Sequence, residues 1–258
     1  MSTRKINDLR YEIDVNDILK DYFSILNDSI IFISAVVGIF CFKKYRYSTA
    51  KYFIYFLIGA VFIDVFGKYP EYLRDIEFFN PIYLKIKGTI FIDNYWWYTL
   101  FWAVGTALFF SFYFEKTLVS LRFRSVLRIS RLLMLFVLIA SIVYNWKAVV
   151  MDYALLVEVT SFIIVMLSAL FYFIEILDTN QILQFHKNLN FYIASIIFIW
   201  WLITTPLIFY DNYFSDSDWP FVLLRYEVLM YANIFMYFGF AVALLYCKPE
   251  KSMIMDNN

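Results

Sequence analysis

Long apolar runs, broken at intervals by short charged segments, dominate the chain, and their lengths place seven of them near 25–42, 52–66, 95–114, 130–146, 153–176, 189–210 and 221–247. A helix crosses the roughly 30 Å hydrocarbon core with about 20 residues. The runs match that length and show no alternation of polar and apolar positions over about ten residues, the mark of a membrane barrel strand. The pattern predicts an all-α, polytopic membrane bundle of seven transmembrane helices. Ahead of the first run, Val15, Ile18, Leu19, Tyr22, Phe23 and Leu26 recur at helical spacing among Asp14, Asp17, Lys20 and Asp21. Residues 1–24 therefore read as an amphipathic lead-in helix, with no basic stretch, short apolar core and small-residue site of a cleaved signal peptide. Residues 248–258 form a short tail. The longest connection, 67–94, contains Ile82, Leu84 and Ile86 alternating with Tyr83, Lys85 and Lys87 before Gly88, a period of two that predicts a short hairpin or extended flap.

Composition supports the membrane assignment: 62% of the 258 residues are hydrophobic and 23% aromatic, well above the apolar share of about 45–50% usual in soluble domains. Charge adds orientation. Lys43, Lys44, Arg46, Lys51, Lys116, Arg122, Arg124, Arg128, Arg131, Lys187, Lys248 and Lys251 all fall at one side of the bundle, with Glu115, Glu175, Asp178, Glu250 and Asp256 against them. Basic loops stay in the cytoplasm, so the N-terminus is expected outside, the C-terminus inside and the whole in the inner (plasma) membrane. With 22 basic and 22 acidic residues the chain has no global basic footprint, and nucleic acid is not an expected partner.

Orientation brings several ionisable side chains to one depth. Asp28 opens the first span, Asp64 ends the second, Glu158 begins the fifth, and Arg225 and Glu227 begin the seventh. A charge inside a span is disfavoured by about 2.5–3.5 kcal/mol on insertion scales, so it faces protein or a wet cavity. Tyr98, Trp102, Tyr153, Tyr210 and Tyr231 lie at similar depth and are able to stack or make cation–π contacts. The excess of acid favours an amine, a metal cation or a proton over an anion. Three readings stay open: structural ion pairing between helices, an outward-facing ligand site, and side chains that snorkel to water. On the cytoplasmic side Arg122, Arg124, Arg128 and Arg131 alternate with apolar residues, which predicts a helical continuation whose arginines meet anionic lipid headgroups or dock an output protein.

Known chemistries find no residues here. The seventh span has no lysine for a retinal Schiff base, and the sole histidine, His186, falls in a cytoplasmic loop, so neither a metalloprotease pair nor haem ligation is available. No nucleophile elbow, phosphate loop or paired aspartate signature occurs. No catalytic residue, metal site or cofactor is expected. Cys41 and Cys247, the only cysteines, read as structural thiols rather than a disulfide.

The last two spans carry Asn188, Phe191, Tyr192 and Ile193 in the pattern N-x-x-F-[WY]-I, a break at Thr205 and Pro206, and an end at Cys247 and Lys248. In this they resemble the final pair of helices in the multi-span membrane sensor regions that precede histidine kinases in Bacteroidota. The resemblance covers about a quarter of the chain. It implies a sensor, and because only PEKSMIMDNN follows Lys248, one whose output lies in a partner protein. The leading expectation is a stand-alone, non-enzymatic, receptor-like or accessory sensor, embedded in the lipid bilayer and binding a small cationic or amphipathic ligand in the outer half. The competing one is a transporter, ion channel or membrane-perturbing effector in stress or phage defence.

Overall fold

The structure, a computed structural model, describes residues 3–151, 154–178, 187–210 and 219–249, with side chains described in these stretches except for residues 3–21, 148, 151, 208–210 and 219–220. In chain order the helices are α1 Thr3–Tyr45, α2 Ala50–Gly67, α3 Tyr69–Asp75, α4 Asn80–Ile86, α5 Tyr95–Trp97, a π-helical segment Tyr98–Val104, α6 Gly105–Thr117, α7 Leu121–Met151, α8 Leu155–Asp178, α9 Leu189–Tyr210 and α10 Trp219–Tyr246. No strand occurs among the described residues. Seven helical stretches are long and apolar enough to cross a membrane, Tyr22–Tyr45, Ala50–Asp75, Tyr95–Thr117, Leu121–Lys147, Leu155–Asp178, Leu189–Leu207 and Phe221–Tyr246. The chain is a multi-pass helical membrane protein.

Two segments differ from expectation, each for a local reason. The lead-in and first span form one helix, α1, because no proline precedes Pro70 and nothing at the membrane boundary interrupts the backbone ladder. Between α2 and α5 the chain forms no hairpin but two short helices joined by a 3₁₀ turn at Glu77–Phe79. Pro70 and Pro81 sit in the first turns of α3 and α4, where the missing N–H has no intrahelical partner to lose. The partly buried positions of α4 are Tyr83 and Ile86, three apart, so the helical period prevails over the alternation. Gly88, at φ 86°, occupies the left-handed position that ends the helix.

Six spans close a ring in which α1 packs on α2, α2 on the third span (α5 to α6), the third span on α8, α8 on α9, α9 on α10 and α10 on α1. Helix α7 packs outside it against α6 and α8. The burial of the most apolar stretches agrees, at 17% for α7 against 50% for the third and sixth spans. Inside the ring Phe53 of α2 meets Phe240 of α10 edge-on at 4.8 Å, and Phe56 stacks on Phe109 of α6 at 4.5 Å. Lipid is as apolar as these rings, so shape and polar contacts rather than hydrophobic burial hold spans together.

Many of the polar contacts between spans among the described residues gather at the end that carries the α1–α2 turn. The last carbonyls of α10 have no intrahelical donor. Tyr45 donates its hydroxyl to the carbonyls of Leu244 (3.0 Å) and Cys247 (2.8 Å), and Lys44 donates to those of Leu244 (2.9 Å) and Leu245 (3.0 Å). Lys44 also sets a positive charge at the negative end of the helix dipole. At the same end Asn188 caps α9 through the N–H of Asn190 (2.9 Å), and Tyr113 of α6 donates to the Asn190 side chain. Glu175 of α8 accepts the N–H groups of Val119 (2.7 Å) and Ser120 (2.8 Å), capping α7 from a neighbouring helix. Cys41 and Cys247 are both buried free thiols here.

Tyr45→Phe removes one donor from two buried carbonyls while keeping the ring. It is expected to cost about 1–2 kcal/mol, read as a lower thermal midpoint of the purified protein, whereas Tyr47→Phe on the exposed turn leaves the midpoint unchanged.

Candidate functional site

At the opposite end of the bundle the ring encloses a cavity of about 310 Å³, lined by Asn94, Tyr95, Tyr98, Thr99, Trp102, Glu158, Trp200, Trp201, Thr204, Leu207, Arg225 and Leu229. Four elements contribute: the start of the third span, the first turn of α8, the far half of α9 and the first turns of α10. Tyr98, Thr99 and Trp102 lie in the π-helical segment. Such segments are rare and recur at functional sites, because the widened turn turns neighbouring side chains onto one face.

The approach of that segment to α2 depends on Gly67. A Cβ there would lie 2.6 Å from the Tyr98 hydroxyl and 2.7 Å from its ring carbon, and Asn94 donates its side-chain amide to the Gly67 carbonyl at 2.7 Å. One glycine thus seats two lining residues. Aromatic N–H groups anchor the rest: Trp97 donates to the carbonyl of Ile63 (2.9 Å) and Trp96 to the hydroxyl of Tyr69 (3.1 Å), which itself donates to the carbonyls of Phe91 and Asp93.

Trp102 meets Trp200 edge-on at 5.7 Å, and Trp200 meets Trp201 at 5.2 Å. Trp200 donates to Asn233 of α10 (2.8 Å), and Asn233 donates to Asn27 of α1 (2.8 Å), so a polar chain runs from the cavity wall through α10 to α1. The Trp201 indole N–H and the Thr204 hydroxyl are buried with no hydrogen-bond partner. Glu158 makes no side-chain hydrogen bond or ion pair among the described residues, and it keeps accessible surface because it faces the cavity. Thr205 donates to the carbonyl of Trp201 (2.6 Å) and so does not take up the Leu202 carbonyl that Pro206 leaves without a donor.

Of the side chains singled out in the sequence, Glu158, Arg225, Tyr98 and Trp102 line this one cavity. Asp28 and Asp64 do not. They flank Lys68, which forms a short ion pair with Asp28, lies 3.9 Å from Asp64 and donates to Ser24 at 2.8 Å. The Lys68 and Asp64 side chains are 14% and 16% exposed, and that of Asp28 is 43% exposed, so this cluster is an interhelical pair at the boundary. Lys68 was legible as the cation four residues after Asp64. Tyr231 is 65% exposed and points away from the protein. Glu227, two residues beyond Arg225 and so turned about 200° around the helix, lines no part of the cavity. Tyr153 and His186, and the side chain of Tyr210, lie outside the described residues. Among the described residues no three metal-ligating side chains gather.

The basic segment is helical, as its spacing predicts, but three of its four arginines are engaged within the protein. Arg124 donates to the Leu118 carbonyl, and Arg128 and Arg131 both pair with Glu115 of α6. Arg122 is exposed. Other lining residues include Trp200, Trp201 and Thr204, for which a Trp-Trp pair in the far half of a span beside two threonines is an available sequence signal.

No protein-family model matches the chain, and no curated protein or solved structure matches it.

Two substitutions separate these arrangements. Gly67→Ala is expected to cost about 1–3 kcal/mol by overpacking against Tyr98, and Tyr98→Leu in the same chain recovers part of that loss in a double-mutant cycle of thermal midpoints. Glu115→Gln leaves the mostly buried Arg131 without its countercharge and is expected to cost about 1–3 kcal/mol. Arg128→Gln, at a side chain 67% exposed, costs less than about 1 kcal/mol.

Proposed function

We propose that this protein is a seven-helix, receptor-like or accessory membrane sensor that binds a small cationic or amphipathic ligand in the cavity and passes the event to a partner protein. In this reading the N-terminus is outside, the C-terminus is cytoplasmic, the host is the inner (plasma) membrane and the cavity lies in the outer half. The observation that carries it is the set Glu158, Tyr98, Trp102, Trp200 and Trp201 around one cavity. A carboxylate among aromatic rings suits an ammonium group, which gains both an ion pair and attraction to the ring faces. The volume sits at the lower end of the range for small-molecule sites, roughly 300–1,000 Å³.

The polar chain from Trp200 through Asn233 to Asn27 supports a sensing role, since a ligand touching Trp200 touches a contact shared by α9, α10 and α1. The cytoplasmic face offers Arg122 and the exposed part of Arg128 to lipid headgroups or to the partner.

Three tryptophans line the cavity, so intrinsic fluorescence of the purified protein reports occupancy. Titration with choline and with propylammonium is expected to give saturable quenching that Glu158→Gln weakens by about 10-fold or more. Non-saturable quenching by both probes, or quenching indifferent to Glu158→Gln and Trp102→Ala, removes the reading.

A further inference from the structure

At the end of the bundle that carries the α1–α2 turn, Phe112 of α6 stands between two other spans. Its ring meets that of Tyr52 of α2 edge-on at 5.4 Å, and the Arg131 guanidinium of α7 lies 5.9 Å from its centre. Lys51 holds its ammonium 5.1 Å over the Tyr52 ring, and Lys116 holds its own 5.8 Å over Phe112. Lysines of two helices thus lie over one pair of rings in contact. Lys51, Tyr52 and Phe112 are half-buried and Lys116 is exposed, so the pair opens to the outside of the ring of spans.

A ring face attracts an ammonium without neutralising it. Neither lysine makes an ion pair or a side-chain hydrogen bond among the described residues. The acids described at this end are occupied or remote. Glu115 pairs with Arg128 and Arg131, Glu175 accepts the N–H groups of Val119 and Ser120, and Asp178 is exposed at the last position of α8. Two like charges held near one another repel, and an anion shared between them offsets that repulsion. Depth decides what kind of anion. Lys51 is the second residue of its membrane-crossing stretch and Lys116 the last but one of its own, which sets both ammoniums where the bilayer's polar head groups begin and Phe112 one turn further in.

We propose that this outer face of α2 and α6 binds an anionic phospholipid, with the phosphate oxygens on Lys51 and Lys116 and the acyl chains along Tyr52 and Phe112. Basic pockets between spans suit such head groups, and the ammonium is a compact point charge that binds phosphate. The site is separate from the cavity at the opposite end and does not depend on its ligand.

The test uses the full chain in nanodiscs of equal phosphatidylglycerol and phosphatidylcholine, from which it is released for native mass spectrometry. Phosphatidylglycerol is expected to stay bound with about 10-fold preference. Lys51→Gln with Lys116→Gln brings that preference close to parity. Lys43→Gln with Arg46→Gln, which removes the same charge from exposed positions at the same end, keeps it, as does Lys51→Arg with Lys116→Arg. Phe112→Leu leaves both ammoniums and lowers the preference by about 3-fold. Should the double glutamine variant fail to fold, each single variant is expected to lower the preference by about 3-fold, and two silent single variants overturn the site. An equal loss in both glutamine pairs overturns it too, because the effect is then general attraction of a basic surface to an anionic bilayer. So does an absence of preference in the unaltered chain. Inorganic phosphate that raises the thermal midpoint in detergent as far as phosphatidylglycerol does overturns the lipid in favour of a soluble anion.

Discussion

The bundle depends on how the carbonyls at the end of α10 are satisfied. A helix end at the edge of a bilayer has little water to turn to, and each unsatisfied polar group there costs several kcal/mol. Tyr45 and Lys44 meet three of these carbonyls from the last turn of α1, and in doing so they join the first spanning helix to the last. That contact closes the ring. Around the remaining circumference neighbouring helices follow one another along the chain, apart from the third span and α8, between which α7 intervenes, but the α1–α10 seam has no connection to hold it and relies on packing and on these donors. The other caps, Asn188 on α9 and Glu175 on α7, lie at the same end. Asn188, Cys247 and Lys248 are parts of this joint rather than of the cavity.

The opposite end has a different balance. Its spans are anchored at the rim by Trp96, Trp97 and the Lys68 cluster, while the space between the third span, α8, α9 and α10 is left unfilled. Buried donors without partners are disfavoured by about 1–3 kcal/mol each, and Trp201 and Thr204 are two of them.

Much of this architecture was legible in the sequence. Seven spans follow from run length, and the common depth of Glu158, Arg225, Tyr98 and Trp102 follows from their distance to the span ends. Azimuth around each helix was less accessible. Glu227 and Tyr231 share the depth of Arg225 but not its face, and only the packing of α10 against α9 and α1 decides which face looks inward. Asp28 and Asp64 show a second limit, since counting four acids against one guanidinium left out Lys68, a cation on the same turn as Asp64. The hairpin expectation failed because a six-residue alternation is equally compatible with two helical turns, and Pro81 and Gly88 fix where such a helix starts and stops.

Helix α7 shows how a span is retained when hydrophobic burial gives it no reason to stay. Its outer face is largely exposed to lipid, and the six-membered ring closes without it. What attaches it is polar and local. Arg128 and Arg131 reach Glu115 of α6, and Glu175 of α8 holds the N–H groups ahead of its first turn. Ring stacking of Phe123 on Phe171 at 4.5 Å adds dispersion at the same end. These basic residues thereby fix α7 to its neighbours. An arginine in this segment serves as an external docking point only to the extent that these internal partners leave it exposed, a condition that Arg122 meets and that Arg124 and Arg131 do not.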